Sequence, residues 1–150
     1  MQRTSNMKEK PRYIYLVDDD KDDRELFSEA LGETSLKTKI ATFNNGVDLM
    51  ANLLDNDQNL PDVIFLDLNM PLMNGEECLA DIRREPQLYA IPIVIYSTFF
   101  DEYKVELLQQ KGADRYLQKP SSYDQLKYFI ERTIISLEKG NTDLPEFVIK

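Results

Sequence analysis

Tyr13-Ile14-Tyr15-Leu16-Val17-Asp18-Asp19-Asp20 is the stretch that decides the fold. Five apolar or aromatic residues in succession, without polar alternation, mark a strand covered on both faces, and such strands belong to parallel sheets flanked by helices. The run then breaks into aspartates, with Asp22, Asp23 and Glu25 close behind. The pattern returns at wide spacing in Val63-Ile64-Phe65-Leu66, in Ile93-Val94-Ile95-Tyr96 and, more weakly, in Arg115-Tyr116-Leu117-Gln118. A shorter candidate, Lys39-Ile40-Ala41-Thr42-Phe43, reads as a strand near an edge.

Segments with helical spacing lie between these runs. Leu26, Phe27, Ala30 and Leu31 form one stripe, with Gly32 as its stop. Val47, Met50, Leu53 and Leu54 form a second after the turn Asn44-Asn45-Gly46. Cys78, Leu79 and Ile82 mark a third between Gly75 and Pro86, and Leu107 and Leu108 a fourth ending at Gly112. Tyr123, Leu126, Phe129, Ile130, Thr133, Ile134 and Leu137 carry the period through the last. Strand and helix alternate five times, which predicts an α/β fold with a parallel sheet, right-handed crossovers and helices on both faces.

In such sheets ligands bind beyond the carboxyl ends of the strands, near the switch point in strand order. Asp18 and Asp19 stand after the first strand, Asp67 after the third, Ser97 at the end of the fourth and Lys119-Pro120 after the last. The order predicts that carboxylates, one hydroxyl and one ammonium converge on a single cleft. Close carboxylates repel by a few kcal/mol at an effective dielectric of about 20. A hard cation such as Mg2+ relieves that repulsion and leaves a place for a phosphoryl oxygen. This set suits phosphoryl transfer, and Asp67 is its natural nucleophile because a carboxylate can form an aspartyl phosphate. Asp20, Asp22 and Asp23 have a plainer reading as acids in the first turn of a helix.

Composition narrows the classes. The 150 residues amount to about one domain, 42% apolar, and need no disulfide or structural metal to build a core. Twenty-seven acids against 18 bases, a net charge of −9, disfavour nucleic acid and anionic membranes as partners. Without a histidine the chain has no Ser-His-Asp or Cys-His nucleophile, no histidine-ligated zinc and no phosphohistidine. The single cysteine, Cys78, excludes an internal disulfide and fits a reducing compartment. No apolar run approaches the roughly 20 residues of a membrane span, and the N-terminus lacks a signal-peptide core, so a cytoplasmic location is expected.

Two other motifs fall away. Asp18, Asp20, Asp22 and Glu29 match an EF-hand loop, but Asp23 stands where its turn glycine belongs and the segment follows a strand. A mononucleotide site would want Ser, Thr or Gly after the first strand, where this chain places aspartates. The acidic pair in Leu16-Val17-Asp18-Asp19, the segment Leu66-Asp67-Leu68-Asn69-Met70-Pro71 with Gly75 further on, Ser97, and Lys119-Pro120 together resemble the receiver domains of two-component response regulators. The likeness runs from about Tyr13 to Leu137.

The resemblance implies a flavodoxin-like, CheY-like fold: a doubly wound five-stranded parallel sheet of strand order 2-1-3-4-5. It also implies phosphorelay chemistry. Asp67 would accept a phosphoryl group from the phosphohistidine of a sensor histidine kinase or phosphotransfer protein. Asp19, Asp67 and the backbone carbonyl of Asn69 would bind Mg2+ directly, and Asp18 through water. Ser97 and Lys119 would contact the phosphoryl oxygens, Tyr116 would be the switch aromatic coupled to Ser97, and the Lys119–Pro120 bond would be cis. Phosphorylation would shift the surface of the fourth helix, fifth strand and fifth helix. Within the family the chain resembles single-domain regulators paired with hybrid or phytochrome-type sensor kinases.

The expected organisation is a flexible leader over 1–12, a receiver domain over 13–138 and a tail over 139–150 with no output domain. Phe147, Val148 and Ile149 could dock on the body or on a partner. Signalling would run through protein contact with an unidentified target, without nucleic acid or membrane, and apolar residues on the last two helices could serve a homodimer or simply the core. Phe99, two residues after Ser97, cannot hold an attacking water, so slow autodephosphorylation is expected. The competing reading is an enzyme, a Mg2+-dependent aspartyl-phosphate phosphatase or phosphotransferase acting on small molecules. Such phosphatases carry a second acid two residues after the nucleophile, where this chain has Asn69. A third reading is an adaptor whose phosphorylation is irrelevant.

Overall fold

The apolar runs become the strands of one sheet in the computed structural model, which describes residues 10–55, 59–138 and 146–150. The strands are β1 (Arg12–Val17), β2 (Thr38–Phe43), β3 (Val63–Leu66), β4 (Ile93–Ser97) and β5 (Arg115–Gln118). The helices are α1 (Lys21–Gly32), α2 (Gly46–Leu53), α3 (Gly75–Arg84), α4 (Glu102–Gln110) and α5 (Tyr123–Glu138). All strands run parallel in the order β2-β1-β3-β4-β5, with Val17 opposite Leu66 and Phe43, and Leu66 opposite Ile95. The chain order reverses between β1 and β3, so their carboxyl ends form the switch point.

Strand pleating divides the core. Tyr15, Val17, Ile64, Leu66, Ile93, Ile95 and Tyr116 face one side and pack with α2, α3 and α4 residues such as Leu49, Leu79 and Leu108. Ile14, Leu16, Phe65, Val94, Tyr96 and Leu117 face the other and pack with α1 and α5 through Phe27, Leu31, Ile130 and Ile134. Both faces of the central strands are thereby dry, which is why they read as unbroken apolar runs. Polar strand β2 sits at an edge with its residues half-covered or exposed, as its composition suggested.

Three helical stripes are set differently from the sequence pattern. In α2 the buried residues are Leu49, Met50 and Leu53, while Val47 and Leu54 are exposed. In α4 Val105 pairs with Leu108, and Leu107 is only half-buried. In α1 Leu26 is exposed and Phe27 takes the core. Short amphipathic helices offer several candidate stripes, and the sheet beneath selects one.

Two expectations about the chain ends resolve only where the structure describes them. Residues 1–9 of the leader and 139–145 of the tail lie outside the described residues. At the far end, Phe147-Val148-Ile149 docks on the body. The Tyr116 N–H donates to the Phe147 carbonyl at 2.8 Å and the Ile149 N–H donates to the Tyr116 carbonyl at 2.9 Å. This short parallel bridge covers the otherwise open edge of β5. Among the described residues no helix is long and apolar enough to cross a membrane.

One expectation is overturned: there is no cis peptide among the described residues, so Lys119–Pro120 is trans. The trans form is the one favoured before proline, by about 0.5–1 kcal/mol. The Lys119 N–H donates to the Ser97 carbonyl at 2.8 Å, and the Ser122 hydroxyl accepts from the Gln125 N–H at 3.1 Å as the chain enters α5. With the bond trans, the Lys119 side chain already reaches the acidic cluster.

Candidate functional site

The loops after β1, β3, β4 and β5 bring together the residues singled out at the strand ends. Asp18 and Asp67 are buried and Asp19 is exposed, and one carboxylate oxygen from each lies within 4.8 Å of the others. Asp18 is fixed from two sides: its Oδ1 accepts the Asp20 N–H at 3.0 Å and its carbonyl accepts from the Arg24 guanidinium at 2.8 Å. Asp67 is held in register by its N–H, which donates to the Val17 carbonyl at 3.0 Å. The Asn69 N–H reaches back to Asp67 Oδ1 at 3.3 Å, curling the loop over the carboxylate.

That loop depends on Gly75. A Cβ there would lie 2.3 Å from the Asp67 carbonyl oxygen and 2.9 Å from Leu68 Cα, both backbone atoms that cannot swing aside. Gly75→Ala is therefore expected to destabilise the fold by about 1–3 kcal/mol through overpacking and to displace Asp67. Chemical denaturation checks the stability, and a variant as stable as the wild type would contradict the packing account.

Lys119 ties the cluster together. Its ammonium donates to Asp18 Oδ2 at 2.8 Å and to Asp23 Oδ2 at 2.9 Å, and stands 3.6 Å from Asp67 Oδ2. The Tyr96 ring lies beneath it, 5.1 Å from the ammonium to the centroid. Burial alone would lower the Lys119 pKa, but the hydrogen bonds to Asp18 and Asp23 and the charges of Asp67 and Asp18 outweigh it, so the net shift is upward. Burial pushes the Asp67 carboxyl up to about 6; Lys119 pulls it back, while Asp18 pushes it further up.

Ser97 is fully buried at the end of β4, and its hydroxyl oxygen accepts the Phe99 N–H at 3.2 Å. The Tyr116 ring is already turned inward, packed edge-on against Phe100, with its hydroxyl donating to the Phe99 carbonyl. Beside the cluster opens a cleft of about 780 Å³ lined by Asp19, Asn69, Met70, Phe99 and Tyr116 among others. In its lining Lys104 on α4 donates to Glu76 on α3 at 2.8 Å.

A family model described as the response regulator receiver domain matches residues 14–131. The chain belongs to this family. The curated relative Rcp1, a response regulator of Synechocystis sp., is 32% identical over 120 residues, covering 77% of this chain and 82% of its own. Among solved structures, the phosphorylated cyanobacterial phytochrome response regulator RcpA superposes with a TM-score of 0.76 at 31% identity, covering 91% of this chain and all of its own. The Mn2+-bound form of Rcp1 superposes with a TM-score of 0.74 at 30% identity over the same shares. The receiver domain is thus a component of two-component signalling, in the CheY-like fold of its relatives. Its acidic cluster fits the divalent-metal site of such domains, for which Mg2+ is the usual ion: the donors are hard carboxylate oxygens that converge and repel.

Sequence reasoning found Asp18, Asp19, Asp67, Ser97, Lys119 and Tyr116, and the structure brings all six to one end of the sheet. It did not find Asp23 as a partner of Lys119. An acid in a helix's first turn has a sufficient local reason to be there, and nothing in the linear order shows that this one faces the loop after β5.

Proposed function

We propose that Asp67 accepts a phosphoryl group from a phosphohistidine of a sensor histidine kinase or phosphotransfer protein and that the chain signals by protein contact. The observation that supports this best is the placing of Asp67, buried beside Lys119 and within reach of Asp18 and Asp19, at the switch point of the sheet. A carboxylate oxygen of Asp67 attacks phosphorus, the phosphorus–nitrogen bond breaks, and its electron pair leaves with the imidazole of the donor.

Asp19, Asp67 and the Asn69 carbonyl are the proposed direct ligands of Mg2+, with Asp18 acting through water. When bound, the ion neutralises the carboxylates and the phosphoryl oxygens. Lys119 and Ser97 contact those oxygens. The Ser97 oxygen already accepts from Phe99, which leaves its own O–H to donate. Movement of Ser97 toward the phosphoryl group is then passed to Tyr116 through Phe99, whose carbonyl the tyrosine holds, and reshapes the face of α4, β5 and α5 for a target or a second copy.

The working unit is residues 13–138, acting in the cytoplasm. The likeness to a phytochrome response regulator makes a phytochrome-type kinase the first donor to try. A net charge of −9 favours protein over nucleic acid or membrane as the partner. Asn69, in place of a second acid two residues after Asp67, favours self-phosphorylation and autodephosphorylation over turnover of an external small molecule.

Intact-mass spectrometry after incubation with acetyl phosphate tests the reading. One phosphoryl adduct that requires Mg2+ is expected; no adduct with steady release of phosphate would mean an enzyme that turns over, and neither would mean an adaptor. The exposed Phe99 ring lines the cleft where an attacking water must be held. Phe99→Glu is accordingly expected to shorten the phosphoryl lifetime about tenfold or more by supplying a carboxylate for that water. A lifetime equal to the wild type would remove Phe99 from the account.

A further inference from the structure

The ammonium of Lys119 has three N–H bonds. Asp18 takes one at 2.8 Å, Asp23 takes a second at 2.9 Å, and Asp67 Oδ2 lies just beyond hydrogen-bond reach at 3.6 Å. The Tyr96 ring closes one further side of the ammonium. Both acceptors are themselves anchored. Asp18 is wholly buried and bonded to the Asp20 N–H, while the backbone of Asp23 is held by Asp20, whose Oδ1 accepts the Asp22 and Asp23 N–H groups at 2.9 and 3.1 Å.

We propose that Asp23 is a positioning residue for the phosphoryl-transfer reaction: by taking the second N–H of Lys119, it leaves the third aimed at Asp67, where a phosphoryl oxygen arrives. A lysine is a point charge on a flexible four-carbon stem, so a single contact with Asp18 would let the ammonium rotate and its stem bend. A second anchored acceptor, supplied by α1, removes that freedom before the reaction. A phosphoryl group on Asp67 extends oxygens beyond the carboxylate and closes the gap that Asp67 itself leaves open. Asp23 touches neither the acceptor nor the phosphoryl group; it acts through Lys119.

The inference rests on Asp67 being the phosphoryl acceptor, so the experiment begins from wild-type adduct formation with acetyl phosphate and saturating Mg2+. If the wild type forms no adduct, the acceptor reading fails and this inference with it; all later comparisons isolate Asp23. Asp23→Ala is expected to slow phosphorylation about tenfold, the size of one hydrogen bond to a charged group. Asp23→Asn keeps an acceptor oxygen at the same place and is expected to recover most of that rate. In a Lys119→Met background, folded in saturating Mg2+ as judged by circular dichroism, Asp23→Ala should have no additional effect.

A second readout does not depend on that background. The Lys119 ammonium, observed by 15N NMR in the unphosphorylated protein, should exchange its protons faster with water in Asp23→Ala. A merely helix-stabilising Asp23 would instead lower the melting temperature and leave the ammonium signal alone. An unchanged rate in Asp23→Ala, an equal slowing with Lys119 absent, or an unchanged Lys119 signal would each overturn the proposal.

Discussion

Asp67→Asn is expected to melt about 5–10 °C above the wild type at pH 7 in divalent-free buffer, because it removes a charge that the folded state holds at a cost. Burial pushes the Asp67 carboxyl from an ordinary 3.8 up to about 6, a rise that Lys119 limits and Asp18 adds to. Screened by the solvent that reaches the cluster, a rise of that size corresponds to about 2–3 kcal/mol. The sign follows from the proton balance. Between pH 3.8 and about 6 the folded chain holds a proton that the unfolded chain has released, so wild-type stability falls as pH rises through that window. The advantage of the asparagine should therefore be absent below about pH 4, grow to pH 6 and stay constant above it. Saturating Mg2+ should shrink it, since the ion binds and stabilises the wild type. Thermal melts at pH 3.5, 5 and 7, with and without Mg2+, check all of this; an asparagine variant no more stable than the wild type at pH 7 without divalent ions would contradict it.

The opposite change has the opposite sign and is larger. Lys119→Met deletes the ammonium shared by Asp18, Asp23 and Asp67 and leaves the fully buried Asp18 without its ion-pair partner. Removing one side of a buried pair costs about 3–5 kcal/mol. The melting temperature should drop by about 6–20 °C in divalent-free buffer. Mg2+ should restore much of the loss, and so should combining the change with Asp67→Asn, which deletes one of the three charges left behind. A Lys119→Met protein that melts with the wild type would mean that the cluster does not need its ammonium.

The central strands were legible because burial on both faces leaves an unbroken apolar run, and runs of only four or five residues bounded by turn residues are too short for a buried helix: Ile14 to Val17 and Val63 to Leu66 are apolar without interruption, and both lie in the middle of the sheet. The site was legible for a related reason. A parallel sheet puts its ligands at strand ends, so Asp18, Asp67, Ser97 and Lys119 could be picked out by position before any geometry was known. The helices were less clear. Val47 and Leu54 fit a helical stripe as well as Leu49 does, and only packing against β2 and α3 decides that Leu49 is the buried one. The tail could not be placed, because Phe147, Val148 and Ile149 pair with β5 through backbone groups that carry no side-chain signature. Asp23 was hidden by a competing explanation, the ordinary preference for acids at helix starts. The trans Lys119–Pro120 bond corrects an expectation taken from family resemblance rather than from these residues.

Locating the phosphoryl group on the chain decides whether Asp67 carries it. A phosphoryl aspartate is an acyl phosphate, which borohydride reduces to homoserine. After phosphorylation with acetyl phosphate and Mg2+, reduction and peptide mass spectrometry, homoserine is predicted at position 67 and nowhere else. Homoserine at 18, 19 or 23 with Asp67 intact would contradict the account.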